Sequence, residues 1–116
     1  MKNFRELIVW QKSMDFITTI YKISKSFPKD EQFGLTSQIR RAAVSVPSNI
    51  AEGFGRKSDG DFNRFLSISL GSNYEVQTQV EICRNLKFIN ENEYSQLNRQ
   101  LEEIARMLKG LKSKIR

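Results

Sequence analysis

Hydrophobic side chains return every three or four residues in four separate stretches of this chain, the period of helices that each bury one face. In the first stretch, from about Leu7 to Phe27, Trp10, Met14, Ile17, Tyr21 and Ser24 form one stripe. Phe16, Ile20, Ile23 and Phe27 form a second stripe beside it. Two stripes imply contacts over a wide arc. Pro28 ends the helix, because its ring disfavours a helical residue before it and supplies no donor.

Residues 28–36 read as a connection, with Gly34 permitting a turn and Thr36 available as a cap. Ile39, Ala42, Ala43, Val46 and Ile50 define the second helix, which Gly53 and Gly55 terminate. Pro47 lies inside it and cannot donate to the Ala43 carbonyl, so a kink is predicted between Ala43 and Pro47.

The third helix starts at the cap Ser58, with Asp61 three residues on, and runs to about Lys87. Its main stripe is Phe62, Leu66, Ser69, Asn73, Val76, Val80 and Cys83, flanked by Phe65, Ile68, Ser72, Ile82 and Leu86. Small residues around Gly71 would let another helix approach, at a cost of roughly 1 kcal/mol for a glycine inside a helix. In the fourth helix, Asn90 and Glu93 can cap reciprocally. Tyr94, Leu97, Leu101, Ile104, Leu108, Leu111 and Ile115 then alternate in steps of three and four, a straight seam for a nearly antiparallel neighbour. Short connections between four such helices predict an all-α, antiparallel up-and-down four-helix bundle, with residues 1–116 as a single domain.

Charge adds one feature. The net charge of the 116 residues is +6, but residues 105–116 hold Arg106, Lys109, Lys112, Lys114 and Arg116 and no acid. The basic tail can meet nucleic acid or another acidic surface. It also obeys the helix macrodipole, which favours cations at a C-terminus. Arg40 and Arg41 on the second helix, with Arg56, Lys57 and Arg64 around the next turn, form a further basic set suited to phosphate. Glu52, Asp59 and Asp61 share that stretch, so salt bridges within the bundle or to another subunit compete with that reading. Phe62 and Phe65 fall on core stripes, which leaves this set without aromatic residues to stack bases.

Catalytic chemistry is sparse. The chain contains no histidine, which excludes Ser-His and Cys-His nucleophiles and the usual His/Cys zinc sites. The close acidic pairs Asp59/Asp61, Glu91/Glu93 and Glu102/Glu103 sit at helix starts or on an exposed side, where caps and solvated charge explain them. No phosphate-binding glycine loop is present. No catalytic, cofactor or metal site is therefore expected. Cys83 reads as an inert core thiol, and Asn73 and Ser69 as polar contacts between helices. A lone cysteine and the lack of a long apolar leader or span suggest a cytoplasmic protein away from membranes.

The runs Leu7 to Lys12, Phe33 to Val46 and Pro47 to Arg56, followed by Phe65-Leu66 and Gly71 to Glu75, resemble the bacterial four-helix-bundle family encoded in intervening sequences of 23S ribosomal RNA genes. Ser69 before Leu70-Gly71-Ser72 departs from the alanine common there. The resemblance implies a ring, a homopentamer, and kinship with accessory proteins of diversity-generating retroelements, which bind a reverse transcriptase and nucleic acid. It implies no activity, and the ribosomal RNA link describes gene location only. The expectation is a non-catalytic ring-forming adaptor that binds RNA or DNA, with a protein partner besides. Its candidate residues are Arg40, Arg41, Arg56, Lys57, Arg64, Lys109, Lys112, Lys114 and Arg116. A protein-interaction module that binds no nucleic acid is the alternative.

Overall fold

The computed structural model describes residues 3–115. In order they form α1 (Ile8–Ser24), α2 (Leu35–Phe54), α3 (Asp59–Asn85) and α4 (Glu91–Lys114), with short 3-10 turns at Phe4–Glu6 and Lys29–Glu31. No strand occurs among the described residues. The helices make a square in which α1 and α3 each pack on both α2 and α4, inside an envelope of 43 × 25 × 19 Å. Cross-links at both ends show the antiparallel sense. Arg40, early in α2, donates to Ser24 Oγ at the end of α1 (2.8 Å). Asn63, early in α3, donates to the carbonyls of Lys112 and Ile115 at the end of α4 (3.3 and 3.4 Å).

The core face of α1 differs from the leading stripe of the sequence. Val9, Ser13, Phe16, Ile20 and Ser24 are buried, whereas Met14 and Tyr21 are exposed. Ser13 tolerates burial because its hydroxyl donates to the Val9 carbonyl (2.7 Å). The helix stops at Ser24, and Ser26 and Phe27 bond back three residues in a tightening last turn. Phe27 still reaches the core, 5.7 Å from the Phe88 ring. A preceding 3-10 turn, closed by reciprocal bonds between Asn3 and Glu6, sets Phe4 edge-on to Trp10 at 5.3 Å.

Thr36 does not cap α2. The N-cap is Gly34, and the Glu31 carboxylate accepts from the Leu35 N–H (3.0 Å), so Thr36 is buried in the first turn. The helix runs on unbroken through the buried Pro47 to Phe54, so the predicted kink does not interrupt it. Its contact with α3 is close. Ser69 Oγ donates to the Val46 carbonyl (2.8 Å), and the hydroxyls of Ser45 and Ser72 lie 2.8 Å apart. Gly53 is buried here, inside α2, and the C-cap is Gly55.

Ser58 caps α3 by accepting from the Asp61 N–H (3.1 Å). Leu66, Ser69, Asn73, Val76, Val80 and Cys83 are buried as the stripe requires, while Ile68, Ile82 and Leu86 beside it are exposed. Asn73 joins α3 to α4 by donating to the Leu101 carbonyl (3.0 Å) and accepting from Gln77 (2.6 Å). Gly71 faces open space, so the small-residue approach is made by Ser69 and Ser72 instead. The Asn90–Glu93 capping box forms as expected, and Leu97, Leu101, Ile104 and Leu108 fill the core from α4.

Candidate nucleic-acid interface

Most of the basic candidates reach the surface in two groups, each placed by a helix contact. The first depends on Gly53. A Cβ there would lie 2.6 Å from the Phe65 Cβ, so glycine lets α3 close against α2 at this level. Phe65 is thereby held half-buried, with the guanidinium carbons of Arg56 and Arg64 at 4.8 and 4.6 Å from its ring centroid. Two cations share one aromatic ring, an arrangement that orients both groups. Each has a weak acidic partner: Arg56 is 3.3 Å from Glu52, and Arg64 is 4.0 Å from Asp61. Exposed pairs of this kind exchange readily with a phosphate. Lys57 is exposed beside them.

The second group lies along the seam of α3 and α4. Lys109 Nζ stands 5.7 Å from the Tyr74 ring centroid. Tyr74, Gln77, Glu102, Arg106 and Lys109 line an open hollow of about 220 Å³. One turn along α4, Lys112 donates to Asn63 Oδ1 and to Ser67 Oγ (2.5 Å), which lays its stem across α3. This seam leads toward the Arg64 turn, because Asn63 is the residue before it. Tyr74 was missed by sequence reasoning, which named Arg106 only as part of the basic tail. Tyr74 is 35 positions from Lys109, and only the α3–α4 register brings its 42% exposed ring under the cation.

The remaining candidates go elsewhere. Arg40 clamps α1 to α2: besides Ser24, it donates to the Tyr21 carbonyl (3.3 Å) and stacks 4.5 Å from that ring. Arg41, on the next wheel position, is exposed and lines an open depression of about 500 Å³ with Phe33, Gln38 and Glu75. Lys114 turns to the opposite side of α4, toward α1. Arg116 lies outside the described residues. Thus Arg56, Lys57, Arg64, Lys109 and Lys112 share one end and one seam, and Arg40 and Arg41 belong to the other half of the bundle.

The polar groups inside the bundle are structural. Burial pushes the Cys83 thiol up to about 11, with the Glu31 charge adding to it, so the sulfur is a poor nucleophile. At the far end Arg84 bridges Glu91 (2.8 and 3.1 Å) and stacks 4.2 Å from Tyr94. That hydrogen bond raises the Arg84 pKa and lowers that of Glu91. Among the described residues no group of three or more His, Cys, Asp or Glu could hold a metal ion, and no helix is long and apolar enough to cross a membrane.

Fold and surface together define a small helical bundle with a basic end. The sequence matches the family model of the 23S rRNA-intervening sequence protein over residues 5–110, and the chain belongs to that family. It is also similar to a solved structure from Bacteroides thetaiotaomicron VPI-5482, described as a protein of unknown function from the S23 ribosomal protein family. The two are 25% identical, the match covers 91% of this chain and 96% of that one, and the TM-score is 0.84. No curated protein matches the sequence.

Proposed function

We propose that this chain is a non-catalytic adaptor that assembles into a ring and binds RNA or DNA through its phosphate backbone. One observation carries the nucleic-acid reading: the cations of α4 and the α2–α3 turn converge on one end and seam, where Tyr74 offers an exposed ring beneath Lys109. Cations along a track fix the backbone, and an open aromatic face can stack a base. The absence of histidine from the chain supports the non-catalytic part.

Ring assembly is supported by apolar side chains that the bundle leaves uncovered. Met14, Tyr21 and Val44 are exposed on α1 and α2, and Ile68, Ile82 and Leu86 on α3. Two unlike apolar faces on one chain suit a heterologous contact, which closes into a cyclic oligomer when the rotation permits. Five subunits are the number that the family resemblance implies. In such a ring the +6 charge of each copy would sum into a strong field for an anionic polymer. The single cysteine, buried and unpaired, suits the cytoplasm.

A fluorescent RNA hairpin titrated at two salt concentrations tests the nucleic-acid reading. Affinity should fall steeply as salt rises. Absence of binding at low salt by an intact oligomer would defeat it. That outcome favours the protein-interaction module, which has its own support in the cations already held by Glu52, Asp61 and Asn63. Light scattering tests the ring separately, and a monomer at micromolar concentration would refute it.

A further inference from the structure

The hollow between α3 and α4 is more than part of a basic surface, because its lining mixes acceptors with its cations. It is open, about 220 Å³ in volume, and Tyr74, Gln77, Glu102, Arg106 and Lys109 line it. Pockets for drug-sized ligands hold about 300–1,000 Å³, so this one has room for a single flat ring system. One buried residue frames the two acceptors. Asn73, with no exposed surface, accepts from Gln77 Nε2 (2.6 Å) and donates to the carbonyl of Leu101, the residue before Glu102. Gln77 Oε1 has no hydrogen bond among the described residues. Glu102 is exposed and makes no ion pair among them either, although Arg106 stands one helical turn away. A surface that only neutralises phosphate has no use for an open carboxylate, which repels it.

We infer that this hollow takes one unpaired guanine base of a bound strand, stacked on Tyr74 and read at its edge by Glu102 and Arg106. The inference rests on the nucleic-acid reading and adds a sequence preference to it. Stacking alone tolerates any base, because each has a π-face. The edge groups discriminate. Guanine carries two adjacent donors, N1–H and the N2 amino group, which match the two oxygens of one carboxylate. Its O6 and N7 accept from a guanidinium fork. Adenine and cytosine each set one amino group beside an acceptor, and uracil sets one N–H between two carbonyls. Against any of these, Glu102 meets at least one lone pair. In a duplex the guanine N1–H is taken by cytosine, so a loop or single strand is required. Lys109, over the same ring, remains for the adjoining phosphate, and Lys112 continues the track toward Arg64.

RNA hairpins with one stem and a loop varied at a single central position test the proposal, with anisotropy at fixed salt as the measurement. The guanine loop should bind at least about tenfold tighter than the adenine, cytosine or uracil loop. Inosine, which lacks only the N2 amino group, should lose most of that margin. Glu102→Gln should erase the preference while binding the adenine loop as before or more tightly, since the site loses a negative charge. Equal binding of the four loops overturns the proposal and leaves the phosphate-backbone reading standing. No binding of any loop at low salt overturns both. A guanine preference that survives Glu102→Gln also rejects the assignment. DNA hairpins of the same loops should rank the bases identically, and a ranking confined to RNA would place the contact on the 2′-hydroxyl and reject the edge reading. GMP should compete with the guanine loop only at large excess. GMP binding as tight as the loop would make the hollow a free-nucleotide site and reject the strand.

Discussion

Gly53 and Phe65 meet so closely that no side chain fits between them: a Cβ on residue 53 would stand 2.6 Å from the Phe65 Cβ and 3.0 Å from the Phe62 ring. Both obstacles are hard to move, one a β-carbon on a helix and the other the edge of a half-buried ring packed against the core. Gly53→Ala should therefore destabilise the protein by roughly 1–3 kcal/mol by overpacking, despite the better helix propensity of alanine. Thermal or urea unfolding measures it. The same change should weaken hairpin binding, since Phe65 carries the two guanidinium groups.

Gly71 gives the opposite expectation. It lies in the interior of α3 with open space where a Cβ would go. Gly71→Ala should raise stability by about 0.5–1 kcal/mol, through helix propensity alone. A measured loss would show that something in the assembled protein packs against this position.

Asn73 is fully buried, and it links Gln77 on its own helix to the Leu101 carbonyl of α4. Asn73→Ala should cost about 1–3 kcal/mol, because the Gln77 amide loses its acceptor and a void remains between the helices. Denaturant midpoints of Asn73→Ala and Gln77→Ala, singly and together, would show the coupling as non-additivity.

Cys83 should behave as a thiol that ionises only in strong alkali. Its pKa rises to about 11, first because it is buried and then because Glu31 is near. The folded-state value exceeds that of the unfolded chain, so the stability linked to this group is complete at neutral pH. It is lost only as pH climbs through the unfolded thiol value toward about 11. Alkylation by iodoacetamide at pH 8 should be slow in the folded protein and rapid in denaturant, and Cys83→Ser should leave hairpin binding unchanged.

On the α3–α4 seam, Lys109→Ala should lower the slope of log affinity against log salt by about 1 if the side chain neutralises one phosphate. Tyr74→Ala should reduce affinity with the slope unchanged, since stacking releases no counterion. Hairpin titrations across a salt series separate the two contributions.

Some of this architecture is legible in the sequence alone. The stripes of α3 and α4 pick out Leu66 to Cys83 and Leu97 to Leu108 because each helix has one apolar face clearly stronger than the rest. The first helix misled because its two stripes are equally greasy. Met14 and Tyr21 read as core yet are exposed, Trp10 packs against the core only partly buried, and the true buried face passes through Ser13, whose hydroxyl is satisfied within its own turn. Thr36 looked like a cap, yet the cap carboxylate comes from Glu31 in the preceding 3-10 turn. The candidate site was legible only as a set of cations. Which of them gather depends on pairings such as Lys112 with Asn63 and Lys109 with Tyr74, set by the register of two helices. Periodicity determines a helix's inner face but not how far it slides along its neighbour.

The antiparallel square also sets where the protein can be handled. Asn3 and Ile115 both emerge at the end that carries Arg56, Lys57 and Arg64, so a purification tag or fluorescent fusion on either terminus would crowd that surface. The opposite turn, residues 86–90, is remote from it, and Lys87 already adopts a left-handed backbone with φ of 63°. A circularly permuted chain, opened at that turn and joined through a short linker between residues 115 and 3, would carry its labels there and leave the basic end bare.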